Sequence, residues 1–339
     1  MILCKRKIFL FYIFLIITLP KLFGQDPHFS QFYANPLYLN PAFAGTANCP
    51  RFSINFRDQW PSFPNNYLVF SGSYDQHIPV LHGGIGVLVS GNIAGKGFLQ
   101  TYNAGVMYNF RVQAADKFYM QFALQGSLLH SIINGEKWIF ATDIINPAAP
   151  PDFPDEMNNR FAKSQFDAGF GFMGYSPYLY FGLAVHHLLP LQINLTNENE
   201  KVWQPKWSAH VGGRIAIRQK VRSEENIGDI FLHPNIIFIS QGKFNYLHEG
   251  FYFNFYPLTI GAWLRHNFKN MDALIVSCGV EYKNFRVGYS YDFNLTKLEG
   301  TGGSHEVSLQ FTIPCDMDKM GNVSRKKGVK HVQLPCPKF

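Results

Sequence analysis

From about residue 50 onward the chain alternates apolar and polar residues with a period of two, segment after segment. Between 284 and 294, Phe285, Val287, Tyr289, Tyr291 and Phe293 share one face, against Asn284, Arg286, Gly288, Ser290, Asp292 and Asn294. Val307, Leu309 and Phe311 oppose Ser304, Glu306, Ser308, Gln310 and Thr312. Phe118, Met120, Phe122 and Leu124 oppose Tyr119, Gln121 and Gln125. Successive strand side chains point to opposite sides, so the pattern dictates β-strands with one apolar and one polar face.

A soluble sandwich obeys the same rule, and three features separate the two. The segments run about 10–15 residues, where sandwich strands average about 5–6. The apolar face is rich in Phe and Tyr, as the interfacial girdles of a membrane barrel require. The polar face carries small residues and charges of both signs, which suits a hydrated lumen. Composition agrees. Only 16% of residues are charged, against about 25% in ordinary soluble domains. Aromatic residues reach 16%, which excludes a disordered chain, and a mean hydropathy of −0.07 is too low for a bundle of membrane helices. The expected fold is all-β, a transmembrane outer-membrane barrel of about 14 antiparallel strands.

The strands are expected near 51–59, 67–77, 83–93, 99–112, 118–132, 165–175, 178–188, 206–218, 230–241, 244–256, 258–267, 272–282, 284–295 and 304–313. An even count puts both termini on one side, taken as periplasmic. Connections after odd strands then face outward and include the longest, 133–164 and 189–205, together with 296–303. Those after even strands are short, at Gln113–Lys117, Ser176–Pro177 and Lys283, except for the charged Gln219–Asp229. Long outside and short inside is the outer-membrane habit.

Residues 1–24 read as a secretory signal: Lys5, Arg6 and Lys7, then an apolar run from Ile8 to Leu19, then a small residue, Gly24, before Gln25. The run is too short for a spanning helix, which needs about 20 residues. Without the signal's four basic residues, 26 basic residues face 23 acidic ones, a charge of +3, and nothing supports nucleic acid as a partner. Residues 25–50 lack a strand period and are expected at the periplasmic mouth or partly inside the lumen as a plug. Residues 314–339 form a basic periplasmic tail with Lys319, Arg325, Lys326, Lys327 and Lys330. Cys278 falls among outward apolar residues. Any pairing among Cys49, Cys315 and Cys336 is open, because connectivity cannot be read from sequence.

The polar faces direct Arg51, Arg57, Arg111, Arg214, Arg218, Arg265 and Arg286 into the lumen, with Asp167, Glu281, Asp292 and Glu306. Such a mixture either cross-links into a salt-bridged interior or lines a channel; an ion-selective pore more often shows a ring of one sign. Chemistry has no foothold. There is no nucleophile elbow, phosphate loop or zinc-protease helix, and no cofactor or metal is expected. His186 and His187 are strand neighbours expected to face opposite sides, and Ser131 beside His130 is a chance pair. The chain reads as non-enzymatic.

One resemblance goes further. QFYANPLYLNPAFAG at 31–45, Arg51, NFRDQWP at 55–61, GAWLRHN at 261–267 and above all GYSYDFNLTKLEGTGGSHEVSL at 288–309 resemble the PorP/SprF proteins. These are the outer-membrane component of the Bacteroidetes type IX secretion system. The likeness runs from about residue 27 to the final CPKF. It implies an outer-membrane barrel working with periplasmic type IX components and with secreted adhesin or enzyme cargo, and in gliding species with motility. Outer-membrane lipids are the remaining partner. A mixed-charge lumen looks too narrow and too filled for folded cargo, so an accessory or docking barrel is expected rather than the export pore. The alternative is a channel for small hydrophobic solutes resembling the fatty-acid transporters. The residues singled out as a partner-contact or barrel-register signature are Asn40, Pro41, Phe43, Gly45, Arg57, Gln59, Trp60, Tyr291, Asp292, His305 and Glu306. Inward Asp292 and Glu306 are placed to pair with Arg286 or Arg57 where first and last strands meet.

Overall fold

Long alternating segments can satisfy their backbone groups inside a membrane only if the sheet closes on itself, and here it does. The computed structural model describes residues 25–47, 49–134, 160–190, 203–218, 229–296 and 299–315. The leader 1–24, most of the 133–164 segment and the tail 316–339 with Cys336 lie outside the described residues.

The wall strands are β1 (Arg51–Gln59), β2 (Tyr67–Ile78), β3 (Gly83–Ala94), β4 (Leu99–Ala115), β5 (Phe118–Asn134), β6 (Arg160–Tyr175) and β7 (Leu179–His186). Next comes β8, which runs over Lys206–Gly213 and resumes as Ile215–Arg218. The rest are β9 (Ile230–Gln241), β10 (Phe244–Phe255), β11 (Leu258–His266), β12 (Met271–Tyr282), β13 (Phe285–Asn294) and β14 (Ser304–Thr312). Both stretches of β8 pair with β9, so the wall counts fourteen strands. Each strand is antiparallel to its sequence neighbours, and β1 closes the cylinder on β14 from Arg51↔Thr312 to Gln59↔Ser304. β6 begins five residues earlier than expected, pairing Arg160 with Asn134.

Odd strands end at one mouth, called upper here, which carries the long connections; β1 begins and β14 ends at the lower mouth. The alternation sorts as the sequence requires. Phe52, Ile54, Phe166, Leu183, Val287 and Leu309 are exposed on the outer face, as is the free thiol of Cys278. Ser53, Asn55, Gln121, Ser290 and Glu306 are buried within. Among the described residues no helix is long and apolar enough to cross a membrane.

The lumen is occupied by the segment before β1. Residues 26–46 descend through it as short helical turns at Phe32–Ala34, Pro36–Leu39 and Pro41–Phe43; Pro36 and Pro41 open their turns, where a missing N–H costs nothing. Asp26 meets the upper ends of β8 and β9 through Lys206 and Gln241. Gly45 meets the lower ends of β2 and β3 at Asp75 and Gly84. The even strand count therefore brings the two ends of the wall to the lower mouth, while the lengthwise plug carries Gln25 to the upper one. Gln25 and the end of β14 therefore lie at opposite mouths. Below the plug, a disulfide joins Cys49 to Cys315, just outside the seam of β1 and β14.

Plug and wall share one core. Leu37, Ala42, Phe43 and Ala44 pack with inward Leu88, Met107, Met173, Tyr175, Trp263 and Ile275. Each large apolar side chain buried this way contributes about 1.5–3 kcal/mol.

Candidate functional site: the plug and its anchorages

Three sets of side chains hold the plug, from the upper mouth downward. At the top, the Asp26 carboxylate accepts from Trp203 Nε1 at 2.7 Å and pairs with Lys206 Nζ and His187 Nε2, both at 2.8 Å. Asp167 Oδ2 holds the other imidazole nitrogen at 2.7 Å. Burial alone would raise the Asp26 pKa, but His187 and Lys206 hold it well below the usual carboxylate range. Burial alone would depress His187, but Asp26 and Asp167 hold its pKa up at about 9. His187 and Lys206 thus face Asp26 and Asp167. His186 and His187 do not face opposite sides: His187 has φ +60°, which ends the strand alternation, and both rings are buried. His130 hydrogen-bonds Ser164 at 2.8 Å rather than Ser131.

The second set is centred on Arg57, whose side chain is fully buried. Its Nη2 donates to Asp292 at 2.8 Å, and its Nη1 to Ser30 Oγ at 2.7 Å and Glu306 at 3.4 Å. Arg265 reaches the same Asp292 oxygen at 3.1 Å and also pairs with Asp272. The plug enters through its backbone: the N–H groups of Ser30 and Gln31 donate to the two Glu306 oxygens at 2.6 and 3.1 Å. Gln31 Nε2 donates to the Glu306 carbonyl, and its Oε1 accepts from Ser308. A buried charge of either sign costs several kcal/mol unless paired and hydrogen-bonded, so wall and plug are each incomplete without the other.

The third set grips the NPAFAG turn. Asn40, fully buried, accepts from Ala42 N–H at 2.9 Å and donates to the Phe172 and Leu183 carbonyls at 3.1 and 3.2 Å. Its amide also meets His210 Nε2, and Phe43 stacks on the His210 ring at 5.2 Å. Asn109 donates to the Ala42 and Ala44 carbonyls at 3.1 and 2.7 Å, and Arg111 to the Gly45 carbonyl at 3.0 Å. Gln121, with its amide turned to match its neighbours, donates to Ala42 and accepts from Arg111. Gly45 has φ +68°, and a Cβ there would lie 2.5 Å from Gly84 Cα. Only glycine adopts that conformation without cost and admits that contact. Below it, Arg51 pairs with Asp75 at 2.8 Å, while Asp75 accepts from Gly45 N–H at 3.0 Å.

The signature residues divide accordingly. Asn40, Pro41, Phe43 and Gly45 form the turn, and Arg57, Asp292 and Glu306 the buried ion centre. Gln59, Trp60, Tyr291 and His305 lie instead at the upper end of the β1–β14 seam. There the Trp60 N–H donates to Gly303, Tyr291 donates to the Gly302 carbonyl, and Tyr291 and His305 rings pack at 4.9 Å. Arg286 pairs with Glu281 at 2.7 Å, not with Asp292. Arg214 lies 4.0 Å over the Phe231 ring, at the break in β8. Arg218 is exposed at the lower end of β8. Sequence reasoning passed over Asp26, Asp75, Lys206 and Asp272. Asp75 was legible, since it follows Val69, Ser71 and Ser73 on the inward face of β2.

A sequence profile described as "Type IX secretion system membrane protein PorP/SprF" matches residues 22–311. The chain belongs to the PorP/SprF family. That span takes in the plug and nearly the whole wall, so the family's defining region includes all three anchorages. No curated protein matches the chain. Among solved structures it is similar to a Pseudomonas aeruginosa FadL homologue, with 9% identity over 86% of this chain and 99% of that one, TM-score 0.44. It is also similar to the CymD monoaromatic hydrocarbon channel, with 9% identity over 83% and 93%, TM-score 0.41. The beta domain of the Bordetella autotransporter BrkA gives 10% identity over 78% and 99%, TM-score 0.39. These are likenesses of barrel architecture. The chain is an outer-membrane β-barrel of a family that serves type IX secretion.

Proposed function

We propose that this barrel is a non-enzymatic accessory of type IX secretion. In this reading it docks secreted adhesin or enzyme cargo at its upper mouth, contacts periplasmic machinery at its lower mouth, and takes part in surface attachment or gliding. A cleaved leader ending near Gly24 would bring it to the outer membrane, and the basic 314–339 tail would serve the periplasmic contacts. The observation that carries the reading is the lumen itself: residues 26–46 fill it from mouth to mouth, and charged wall residues close around them. A folded cargo has no path through such a barrel, which supports docking over passage of cargo.

The test is a crosslinking pull-down of the tagged protein from native outer membranes, read by mass spectrometry. Periplasmic secretion components or a large surface protein should be recovered. Recovery of the barrel alone, with solute conductance in planar bilayers, would overturn the reading in favour of a small-solute channel. One observation favours that second reading: a cavity of about 370 Å3 opens on the lower mouth, and a smaller one of about 40 Å3 lies above it. Phe32 and Leu39 of the plug belong to both linings and stand between them. A channel requires those two side chains to move aside.

A further inference from the structure

The plug does not fill the lumen evenly. Between it and the wall from β7 round through β14 to Arg51 of β1, the 370 Å3 cavity remains, within the range of about 300–1,000 Å3 that small-molecule sites occupy. Its deep end is apolar and aromatic: Phe32, Phe43, Tyr252, Trp263 and Ile237. Tyr252 and Trp263 pack at 5.1 Å, and Phe32 and Trp263 at 5.5 Å, so the walls are held by their own contacts. The mouth is polar and carries Arg51, Lys283 and Arg286 against Glu281. Asp75 answers Arg51 and Glu281 answers Arg286. Lys283 forms no ion pair among the described residues; it stands exposed on the β12–β13 turn, 5.4 Å from the Tyr282 ring. The cavity is thus an elongated amphipathic pocket, blind at Phe32 and Leu39, with cationic character at its entrance.

We propose that this pocket binds a small amphipathic carboxylate, its aryl or alkyl body among Phe43, Tyr252 and Trp263 and its carboxylate at Lys283 and Arg286. Half of the apolar lining belongs to the plug, so such a ligand bridges plug and wall and holds them together. The site stands whichever proteins the barrel docks, since it lies inside the lumen, and it entails no passage through the barrel.

Trp263 supplies the readout, because a bromine atom in contact with an indole quenches its fluorescence. The full chain in phosphatidylcholine nanodiscs is titrated with 4-(4-bromophenyl)butanoate and with the neutral 4-(4-bromophenyl)butanol. The acid should quench saturably, and Trp263→Phe should remove the saturable component. The alcohol, and the acid on Lys283→Gln, should each bind about fivefold more weakly, as the loss of one exposed charge contact implies. Ile237→Phe narrows the pocket without touching the ion centre and should abolish acid binding by calorimetry while the barrel stays folded. Linear quenching that is equal for acid and alcohol, and unchanged by Ile237→Phe, would mean partitioning into lipid and would overturn the site. Saturable binding without preference for the acid would overturn the assignment of the carboxylate.

Discussion

The upper and lower halves of the plug are held by different physics. Around Asp26, Ser30 and Gln31 the contacts are charge pairs and charge-assisted hydrogen bonds to Lys206, His187, Asp292 and Glu306. Around Asn40–Ala44 they are neutral amides gripping backbone carbonyls, and Gly45, whose N–H and carbonyl meet Asp75 and Arg111, packs on another strand's backbone. The upper half depends on protonation and can be rebuilt with other matched groups. The lower half depends on shape and tolerates almost no added atom. A segment without a regular strand or long helix can be held in one conformation by combining the two.

The largest effect belongs to Arg57→Met, which strands Glu306 as a buried charge and leaves Asp292 to Arg265. It should cost about 3–5 kcal/mol, read as unfolding in detergent-solubilised protein. Adding Asp292→Asn and Glu306→Gln should restore most of that loss; an uncorrected triple variant would show that shape, not charge balance, governs the upper half. Gly45→Ala comes next, at about 2–4 kcal/mol from the left-handed conformation and the contact with Gly84. No second-site neutralisation should rescue it. Removing the disulfide with Cys49→Ser and Cys315→Ser should cost about 2–4 kcal/mol and loosen the lower seam first, seen as faster proteolysis near Pro50. Asn40→Ala leaves two carbonyl contacts unmade and should cost about 1–3 kcal/mol.

The smallest effect is a pH dependence. The folded pKa of His187, near 9, lies above the usual 6.5, so its contribution is complete below about pH 6.5 and is lost as pH rises through 9. Thermal unfolding should fall by a few degrees between pH 7 and 9.5, and His187→Gln should flatten that slope. Asp26 acts in the other direction. Its depressed pKa makes its contribution complete above about pH 4 and lost only on strong acidification.

The wall was legible because a barrel strand alternates lumen-facing with lipid-facing side chains, and the lipid-facing set is apolar. Phe285 to Asn294 shows this without exception. Closure was legible in the matched lengths of β1 and β14, and closure brings Cys49 beside Cys315; that pairing could have been argued from the seam but was left open. The course of the plug was not legible, because a segment packed on all sides by a concave wall carries no period. QDPHFSQFYANPLYLNPAFAG reads equally well at a mouth or in the lumen. The upper ion cluster was hidden for a local reason: alternation assigns His186 and His187 to opposite faces, and a single left-handed residue overrides it. Arg57, Asp292 and Glu306 could be named as inward, but which arginine answers which carboxylate depends on Ser30 and Gln31, which belong to the plug.

The central claim is that residues 26–46 traverse the barrel, so that the chain enters at one mouth and leaves the wall at the other. Its most direct test places one epitope immediately before Asp26 and another after Cys315 in the same protein, and probes both with antibodies on intact and on permeabilised cells. The account predicts opposite faces, with the epitope before Asp26 on the side of the long connections. Both epitopes reached from the same side would contradict it.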